Sequence, residues 1–373
     1  MRPLSIAIAG MVAGQPGQGG AAWAVLQYVL GLRALGHEVT LIEPVPRLTA
    51  GSETFLAAVV DDFALHGAAA LVIAGDGTTR GLARSELVAR LRRADVLFNI
   101  SGMLRDPELL EAVPRRVFLD LDPAFNQIWH LQGADMGFDR HTHFVTIAMN
   151  IGHADCTVPT CGRDWITTLQ PICLDDWPVA EGEPVHDGLT TVGHWRSYGS
   201  VTHDGVFHGQ KAHAWRKLID LPRRVSRPCL PALAIHPDEV RDLAALREHG
   251  WQLLEPAVLC STPASYQRFV QGSWAELGIA KSGYVVSRSG WFSDRSLCYL
   301  ASGRPVIAQE TGFSARVPAG EGLLAFSTVD DAAAAVEAVA ADYPRQRRAA
   351  RAIAEEWFDA RRALPALLDR VMG

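Results

Sequence analysis

Residues 287–313, SRSGWFSDRSLCYLASGRPVIAQETGF, contain the densest group of side chains suited to binding an anion. Ser293 and Asp294 are favourable N-cap residues, and a short helical pattern follows them. Backbone N–H groups at a helix start bind phosphate, and the Arg295 guanidinium can pair with the same oxygens. The hydroxyl groups of Ser289 and Ser296 can donate hydrogen bonds to the same anion. The segment therefore predicts a diphosphate site, with Asp294 capping the helix or accepting hydrogen bonds from a sugar.

A second candidate site is the glycine cluster GMVAGQPGQGG that follows the first apolar segment. Glycines before a helix let backbone N–H groups approach an anion closely, and we place Gly17, Gly19 and Gly20 in a ligand cleft. With Ala22 in the third position, the cluster is also a loose match to a dinucleotide-binding loop. Glu43, at the end of the next apolar segment, would then bind a ribose.

The carboxylates with the best position for acid–base chemistry lie in FLDLDP. Asp120 and Asp122 end a predicted strand, and the ends of parallel strands border the ligand cleft. We predict Asp122 as the group that takes a proton from a hydroxyl nucleophile, with Asp120 beside it. Weaker candidates for that role are His37, His130 and His153. Asn150 and Gly152 follow another strand-like segment and are expected on the same rim.

The elements that must position these residues alternate between strand and helix. Nearly all-apolar strands are typical of a parallel sheet covered on both faces, and a strand–helix–strand unit has a right-handed crossover. Predicted strands of the first half are residues 4–10, 37–43, 71–75, 95–101 and 117–123, with helices at 21–36, 85–93 and after Asp106. Residues 150–190 have little periodicity and are interpreted as a linker region.

The second half repeats the alternation. Predicted strands are residues 189–195, 283–287 and 304–308, and predicted helices are 237–248, 261–277, 293–301, 330–342 and 345–361, with a kink or new segment at Pro365. The pattern predicts an α/β protein with two Rossmann-like doubly wound domains facing across a cleft. Two-domain dehydrogenases, periplasmic binding proteins and B-type glycosyltransferases all fit this architecture.

Composition narrows the functional classes. A chain of 373 residues is long enough for two domains, and a net charge of −6 leaves no strongly basic surface, so we expect no nucleic-acid partner. The N-terminal segment lacks a clear signal-peptide core, and no apolar stretch is long enough to span a membrane, so a cytoplasmic enzyme is expected. The six cysteines are scattered, and Cys156 and Cys161 near His153 lack a second ligand pair. We therefore predict no metal site.

The segment CYLASGRPVIAQETGF with the downstream EGLLAFSTVDDAAAAVEAV resembles the donor-binding region of B-type glycosyltransferases (GT-B). The opening strand, glycine loop, helix and GHEVTLIEP are similar to the N-terminal part of the same family. The resemblance implies a nucleoside-diphosphate sugar as co-substrate, an acceptor molecule, no other cofactor and no essential metal. It also implies that a C-terminal helix crosses back to the first domain.

The resemblance further implies that Arg196 and Lys211 bind the donor diphosphate and that the loop of Glu310 and Thr311 faces the sugar hydroxyls. Gly290 joins the donor-binding set as the residue near the first position of the two-glutamate motif of retaining enzymes. This chain departs from that motif, since Cys298 occupies the second glutamate position. The departure leaves the stereochemical outcome open.

We predict three regions: an acceptor-binding domain over residues 1–180, a nucleotide-sugar-binding domain over 186–345 and a C-terminal helix over 346–373. The predicted activity is metal-independent glycosyl transfer of the hexosyl- or heptosyltransferase class to a small-molecule or glycan acceptor. Three alternatives stay open: an NAD(P)-dependent oxidoreductase, a non-catalytic nucleotide-sugar-binding protein and a nucleotide-sugar epimerase of the same fold. The sequence does not indicate an oligomeric state.

Overall fold

The computed structural model describes residues 2–373, and its first half is built on an eight-stranded sheet. The strands are β1 (Ser5–Ala9), β2 (Glu38–Val45), β3 (Ala69–Ile73), β4 (Thr79–Gly81), β5 (Val96–Ile100), β6 (Arg116–Asp120), β7 (His143–Thr146) and β8 (Trp165–Thr167). Their order is β4-β3-β2-β1-β5-β6-β7-β8, and every neighbouring pair is parallel except β3–β4. The central strands are buried, as their apolar sequences predicted.

Five helices connect these strands. They are α1 (Gly19–Ala34), α2 (Ala50–Asp62), α3 (Arg84–Leu91), α4 (Pro107–Glu111) and α5 (Phe125–Leu131), with a 3-10 turn at Phe138–Arg140. Local sequence explains two of the starts, because Thr49 forms a capping box before α2 and Asp106 accepts the Leu109 N–H before α4. Helix α1 instead begins in the glycine loop without a side-chain cap.

The second half contains a five-stranded sheet and a small hairpin. The sheet strands are β9 (His186–His194), β12 (Cys229–Ala234), β13 (Ser273–Gly278), β14 (Val306–Gln309) and β15 (Leu323–Phe326), and the antiparallel hairpin is β10 (Val201–His203) with β11 (Val206–His208). The sheet order is β12-β9-β13-β14-β15, with all pairs parallel. The two sheets thus divide the chain between residues 167 and 186.

The helices of the second half follow the same alternation. They are α6 (Lys211–Lys217), α7 (Val240–Glu248), α8 (Pro256–Leu259), α9 (Pro263–Gln271), α10 (Ser282–Val286), α11 (Asp294–Ala301), α12 (Val329–Ala341), α13 (Tyr343–Ile353) and α14 (Ala360–Met372), with 3-10 turns at Leu221–Arg223 and Phe313–Ala315. The α/β class and the parallel sheets predicted from the sequence are confirmed.

Two predicted elements of the second half are wrong. The predicted strand 283–287 is helix α10, in which Gly283 packs so closely on Phe125 that a Cβ would lie 2.8 Å from the ring. The predicted helix 261–277 ends at Gln271, and the chain continues as strand β13, whose polar residue Glu276 is buried. The apolar strand β12 lies where the sequence analysis predicted none.

The C-terminal region is not one helix over 345–361. A π-helical segment, Ala354–Phe358, follows α13, and the extended backbone of Asp359 (φ −52°, ψ 124°) ends it. The Asp359 side chain accepts the Arg361 N–H, which starts α14, and Pro365 lies inside that helix. Helix α14 packs on α1 of the first half.

No helix in residues 2–373 is long and apolar enough to cross a membrane. The same residues contain no group of three His, Cys, Asp or Glu side chains arranged to hold a metal ion.

The α1–α14 contact depends on a glycine. A Cβ at Gly31 would lie 2.6 Å from Leu364 Cδ1 and 2.9 Å from the Ala360 Cβ. We expect Gly31→Val to lower the free energy of unfolding by about 1–3 kcal/mol, because the packed helices cannot accept the added volume. The measurement is urea denaturation followed by circular dichroism.

Gly51→Ala in α2 is the matched control, since the atom nearest to its Cβ position is 3.7 Å away. That substitution should stabilise the protein by up to about 1 kcal/mol through helix propensity. A Gly31→Val protein as stable as the wild type would contradict the close packing of α14 on α1.

Candidate functional site

A cavity of about 560 Å³ lies between the two halves, at the carboxyl ends of the second sheet. The first half contributes the glycine loop, from Gln15 to Ala21, which leads into α1. The second half contributes the ends of β9 and β12, the start of α6, Lys281 after β13, the start of α11 and residues 255–257. Ligands of open α/β sheets bind at this edge, so the cavity is the candidate site.

The glycine loop lets the two halves approach closely. A Cβ at Gly19 would lie 2.1 Å from the Thr262 carbonyl oxygen, and the Gly19 N–H donates to the Cys260 carbonyl at 2.9 Å. Trp23, one turn further, donates its indole N–H to the Pro263 carbonyl at 2.9 Å. Of the three predicted cleft glycines, Gly17 and Gly20 line the cavity, and Gly19 lies in the contact between the halves.

Three cationic side chains converge on this cavity: Lys211, Lys281 and Arg295. Arg295 is buried, with its Nε 2.5 Å from Glu276 Oε1 and its Nη1 donating to the Val192 carbonyl at 2.9 Å. Glu276 therefore offsets the Arg295 charge. In the described chain no carboxylate forms an ion pair with Lys211. Burial, together with the nearby charges of Arg295 and Lys281, lowers the pKa of Lys211 to about 7.

Lys281 was missed by the sequence analysis. Its ammonium lies 2.9 Å from Asp122 Oδ2 and 3.1 Å from Oδ1, and 3.9 Å from the centre of the Tyr198 ring. The hydroxyls of Tyr198 and Tyr284 donate to the same carboxylate. Burial lowers the pKa of Lys281, and the attraction of Asp122 opposes that shift. Asp122, the predicted proton acceptor, is thus held by three groups of the other half.

Asp120 was predicted beside Asp122 as a catalytic group, but its environment differs from that of Asp122. Its carboxylate is fully buried and accepts hydrogen bonds from the side chains of Asn126 (2.7 Å), Gln127 (2.7 Å) and Thr146 (2.8 Å), and from the Asp122 N–H (3.0 Å). Burial raises its pKa despite these donors. In the structure it anchors the Asp122 loop. Ala124 in that loop has φ 70° and ψ −48°, a conformation that costs energy for a residue with a Cβ.

The predicted donor-binding residues of the 287–313 segment separate into two groups. Only Asp294 and Arg295 line the cavity. Ser293 occupies the N-cap position of α11 without capping it by its side chain, and Ser296 is buried in the first turn. Three other predicted residues contact the backbone of neighbouring loops. Ser289 Oγ contacts the Tyr284 carbonyl (3.3 Å) and the Trp291 N–H (3.2 Å). Thr311 Oγ1 donates to the Trp291 carbonyl (2.5 Å), and Glu310 accepts the Gly312 N–H (2.5 Å).

Asn150 lies where the two halves meet. Its side-chain Nδ2 donates to the carbonyls of Arg288 (3.2 Å) and Gly312 (3.0 Å), and its Oδ1 accepts from Arg316 Nε at 3.0 Å. Gly290 has φ +75°, and a Cβ there would lie 2.9 Å from Asn150 Cγ. Asn150 and Gly290 therefore form a contact between the halves.

Two further predicted site residues also lie outside the cavity lining. The Arg196 guanidinium pairs with Glu239 on the surface of the second half. Gly152 is exposed, has φ +82° and has no atom within 4 Å of its Cβ position.

Several solved structures with the same fold align with almost the whole of this chain. One is an alpha-glucosyltransferase in complex with UDP-glucose and DNA containing an abasic site, with a TM-score of 0.64, 12% identity and coverage of 99% of this chain and 98% of that one. Another is Anabaena Alr3699/HepE in complex with UDP and glucose, with a TM-score of 0.58, 12% identity and coverage of 98% and 100%. A third is a glycosyltransferase from Rickettsia africae ESF-5, with a TM-score of 0.54, 13% identity and coverage of 100% and 98%.

No protein-family model matches the sequence, and no curated protein matches it significantly. The expectation that nucleic acid is excluded as a partner was wrong. Alpha-glucosyltransferases of this fold were solved with DNA, including DNA with a modified base, so net charge does not exclude that partner class. The predicted fold is confirmed: over almost its whole length, this chain has the GT-B glycosyltransferase fold.

Proposed function

We propose that the protein transfers a sugar from a nucleoside-diphosphate sugar to a hydroxyl group of an acceptor. The observation that carries this proposal is the Lys211 ammonium, which lines the cavity between the halves beside Arg295 and pairs with no carboxylate of the described chain. A diphosphate supplies the negative charge that this position lacks. The fold neighbours solved with UDP or UDP-glucose favour a UDP-sugar, and specifically a hexose, as the donor.

In the proposed reaction the bond between the sugar anomeric carbon and the diphosphate oxygen breaks, and the electron pair leaves with the nucleoside diphosphate. Lys211 and Arg295 stabilise that developing charge. The start of α1 assists them, because the N–H groups of Gly20 and Ala21 have no partner within the helix and both residues line the cavity. These fixed positive groups supply the charge compensation that a metal ion would otherwise give.

Asp122 is the proposed proton acceptor for a direct displacement. The acceptor oxygen forms the new bond to the anomeric carbon, and its proton passes to an Asp122 carboxylate oxygen. The position of Asp122 supports this role, since it follows β6 at the carboxyl edge of the first sheet and contacts Lys281 of the cavity. Asp120 serves as a positioning residue for the same loop.

The acceptor enters from the side of the first half. We propose a hydroxyl-bearing molecule and include DNA among the acceptors to be tested, since fold neighbours were solved with it. Release of UDP from UDP-glucose, measured with DNA, saccharide and small-molecule acceptors in parallel, identifies the class.

The oxidoreductase alternative loses its main support. Glu43, the residue that would bind a ribose, is fully buried, and its Oε2 accepts the Ala13 N–H at 2.8 Å. Burial raises its pKa to about 8. Its carboxyl group is thus enclosed beneath the glycine loop and does not line the candidate site.

The first test of the proposal removes the Lys211 charge. Lys211→Met should weaken UDP binding by about 10- to 100-fold, because a charge-assisted hydrogen bond to the diphosphate is lost. The measurement is titration calorimetry, supported by the UDP-dependent rise in melting temperature. Lys217→Met, at the exposed end of the same helix α6, is the control and should bind UDP like the wild type. Equal affinities of the two variants would refute the donor site.

The pH dependence of binding gives a second test. With its pKa lowered to about 7, Lys211 is mostly neutral at higher pH and must take up a proton when it binds a diphosphate. UDP affinity should therefore fall by up to about tenfold per pH unit above pH 7. Calorimetry near pH 8 in two buffers of different ionisation enthalpy should show proton uptake. Lys211→Met should lose most of the uptake, and a wild type without uptake would contradict the assignment.

A further inference from the structure

A well-shielded ion pair between the two halves joins a candidate catalytic group to the cavity. Asp122 belongs to the loop after β6 in the first half, and Lys281 belongs to the loop after β13 in the second. Their ion pair, at 2.9 Å, is mostly shielded from water, with 14% of the Lys281 and 20% of the Asp122 side chain exposed. Lys281 also lines the cavity that holds Lys211 and Arg295. The same ammonium therefore faces both the proposed base and the proposed donor site.

The charges in the cavity make the two roles compete. Arg295 is neutralised by Glu276, and Lys281 by Asp122, which leaves Lys211 as the unpaired cation. A diphosphate carries at least two negative charges, so one lysine does not balance it. Lys281 is the other lysine that lines the cavity, and its side chain can turn, because a lysine ammonium moves on a flexible four-carbon stem.

We propose that the diphosphate of a bound donor draws the Lys281 ammonium away from Asp122 and into the cavity. This inference rests on the proposed function. Breaking the pair removes one ionic contact between the halves and uncovers the Asp122 carboxylate for the acceptor hydroxyl. Donor binding thus precedes productive acceptor binding, and Asp122 stays masked while the donor site is empty.

The surroundings of the pair suit such an exchange. The Tyr198 ring attracts the ammonium at 3.9 Å from its centre, and Tyr198 and Tyr284 both donate to Asp122. The phenol groups continue to solvate the carboxylate after the lysine turns, so Asp122 is not left as a bare buried charge. Asp120 and its side-chain donors hold the base of the loop, so the movement concerns side chains rather than the strand.

A double-mutant cycle on UDP affinity tests the exchange without an acceptor or activity. Lys281→Met should weaken UDP binding by at least about tenfold, since a cationic partner of the diphosphate is lost. Asp122→Asn should tighten binding by about 3- to 10-fold, because Lys281 no longer has to leave a carboxylate. In the double variant the tightening should disappear, and its affinity should equal that of Lys281→Met.

The cycle separates the exchange from a long-range charge effect. If Asp122→Asn tightens UDP binding equally with and without Lys281, the carboxylate acts only by repulsion, and the inference is overturned. Unchanged affinity in Asp122→Asn also overturns it. Neither result touches the proposed function, which fails instead if the wild type binds no nucleoside diphosphate or if Lys211→Met binds UDP normally.

Hydrogen exchange in the wild type tests the same inference without substitutions and decides it if a variant does not fold by circular dichroism. On UDP addition, amides of residues 121–131 should exchange faster, because the ion pair that holds this loop to the second half is broken. Amides of the glycine loop should exchange more slowly as they meet the ligand. Protection of both segments would show that the Asp122–Lys281 pair persists, which overturns the proposed exchange.

Discussion

The buried ion pair between Arg295 and Glu276 is the interaction on which the second-half wall of the cavity depends. It joins the first turn of α11 to the middle of β13, and the second arm of the guanidinium reaches the Val192 carbonyl of β9. Three elements are thereby fixed around one cation, which presents its remaining edge to the cavity. A buried charge is costly unless it is paired and hydrogen-bonded. Glu276 satisfies that requirement. Its presence in the central strand of the sheet explains why the sequence of β13 lacks the pattern of an apolar strand.

That same glutamate accounts for much of what the sequence did not predict. The first half has apolar strands, a glycine loop and carboxylates at strand ends, and these features predicted β1, α1, β2, β6 and the position of Asp122. In the second half, the charged residue Glu276 interrupts the apolar pattern of β13, and the valines of α10 gave the predicted strand instead. This error also misplaced the edge of the sheet. Lys281 directly precedes α10, so a strand over 283–287 would leave it at the amino end of that strand, whereas β13 brings it to the carboxyl edge of the sheet.

Several residues predicted to touch the donor contact backbone groups of neighbouring loops in the structure. The hydroxyls of Ser289 and Thr311 contact backbone groups near Trp291, and the Glu310 carboxylate caps its own turn. Polarity and spacing identify a functional segment, but they do not distinguish a side chain that faces the ligand from one that satisfies a buried backbone group. Net charge has a comparable weakness. A sum over 373 residues says nothing of three cations gathered in one cavity, and it wrongly excluded a class of partner.

Asn150 has a consequence for how this protein can be recombined. A single amide of the first half dictates the course of two loops of the second, through the carbonyls of Arg288 and Gly312 and the side chain of Arg316. The domains are therefore not interchangeable modules. A chimera that joins this second half to the first half of another protein of the fold would need an asparagine at the equivalent position, or the loops of Arg288 and Gly312 would lose these hydrogen bonds. The two halves of this protein are therefore exchanged together, and Asn150 is one of the side chains that fit them to each other.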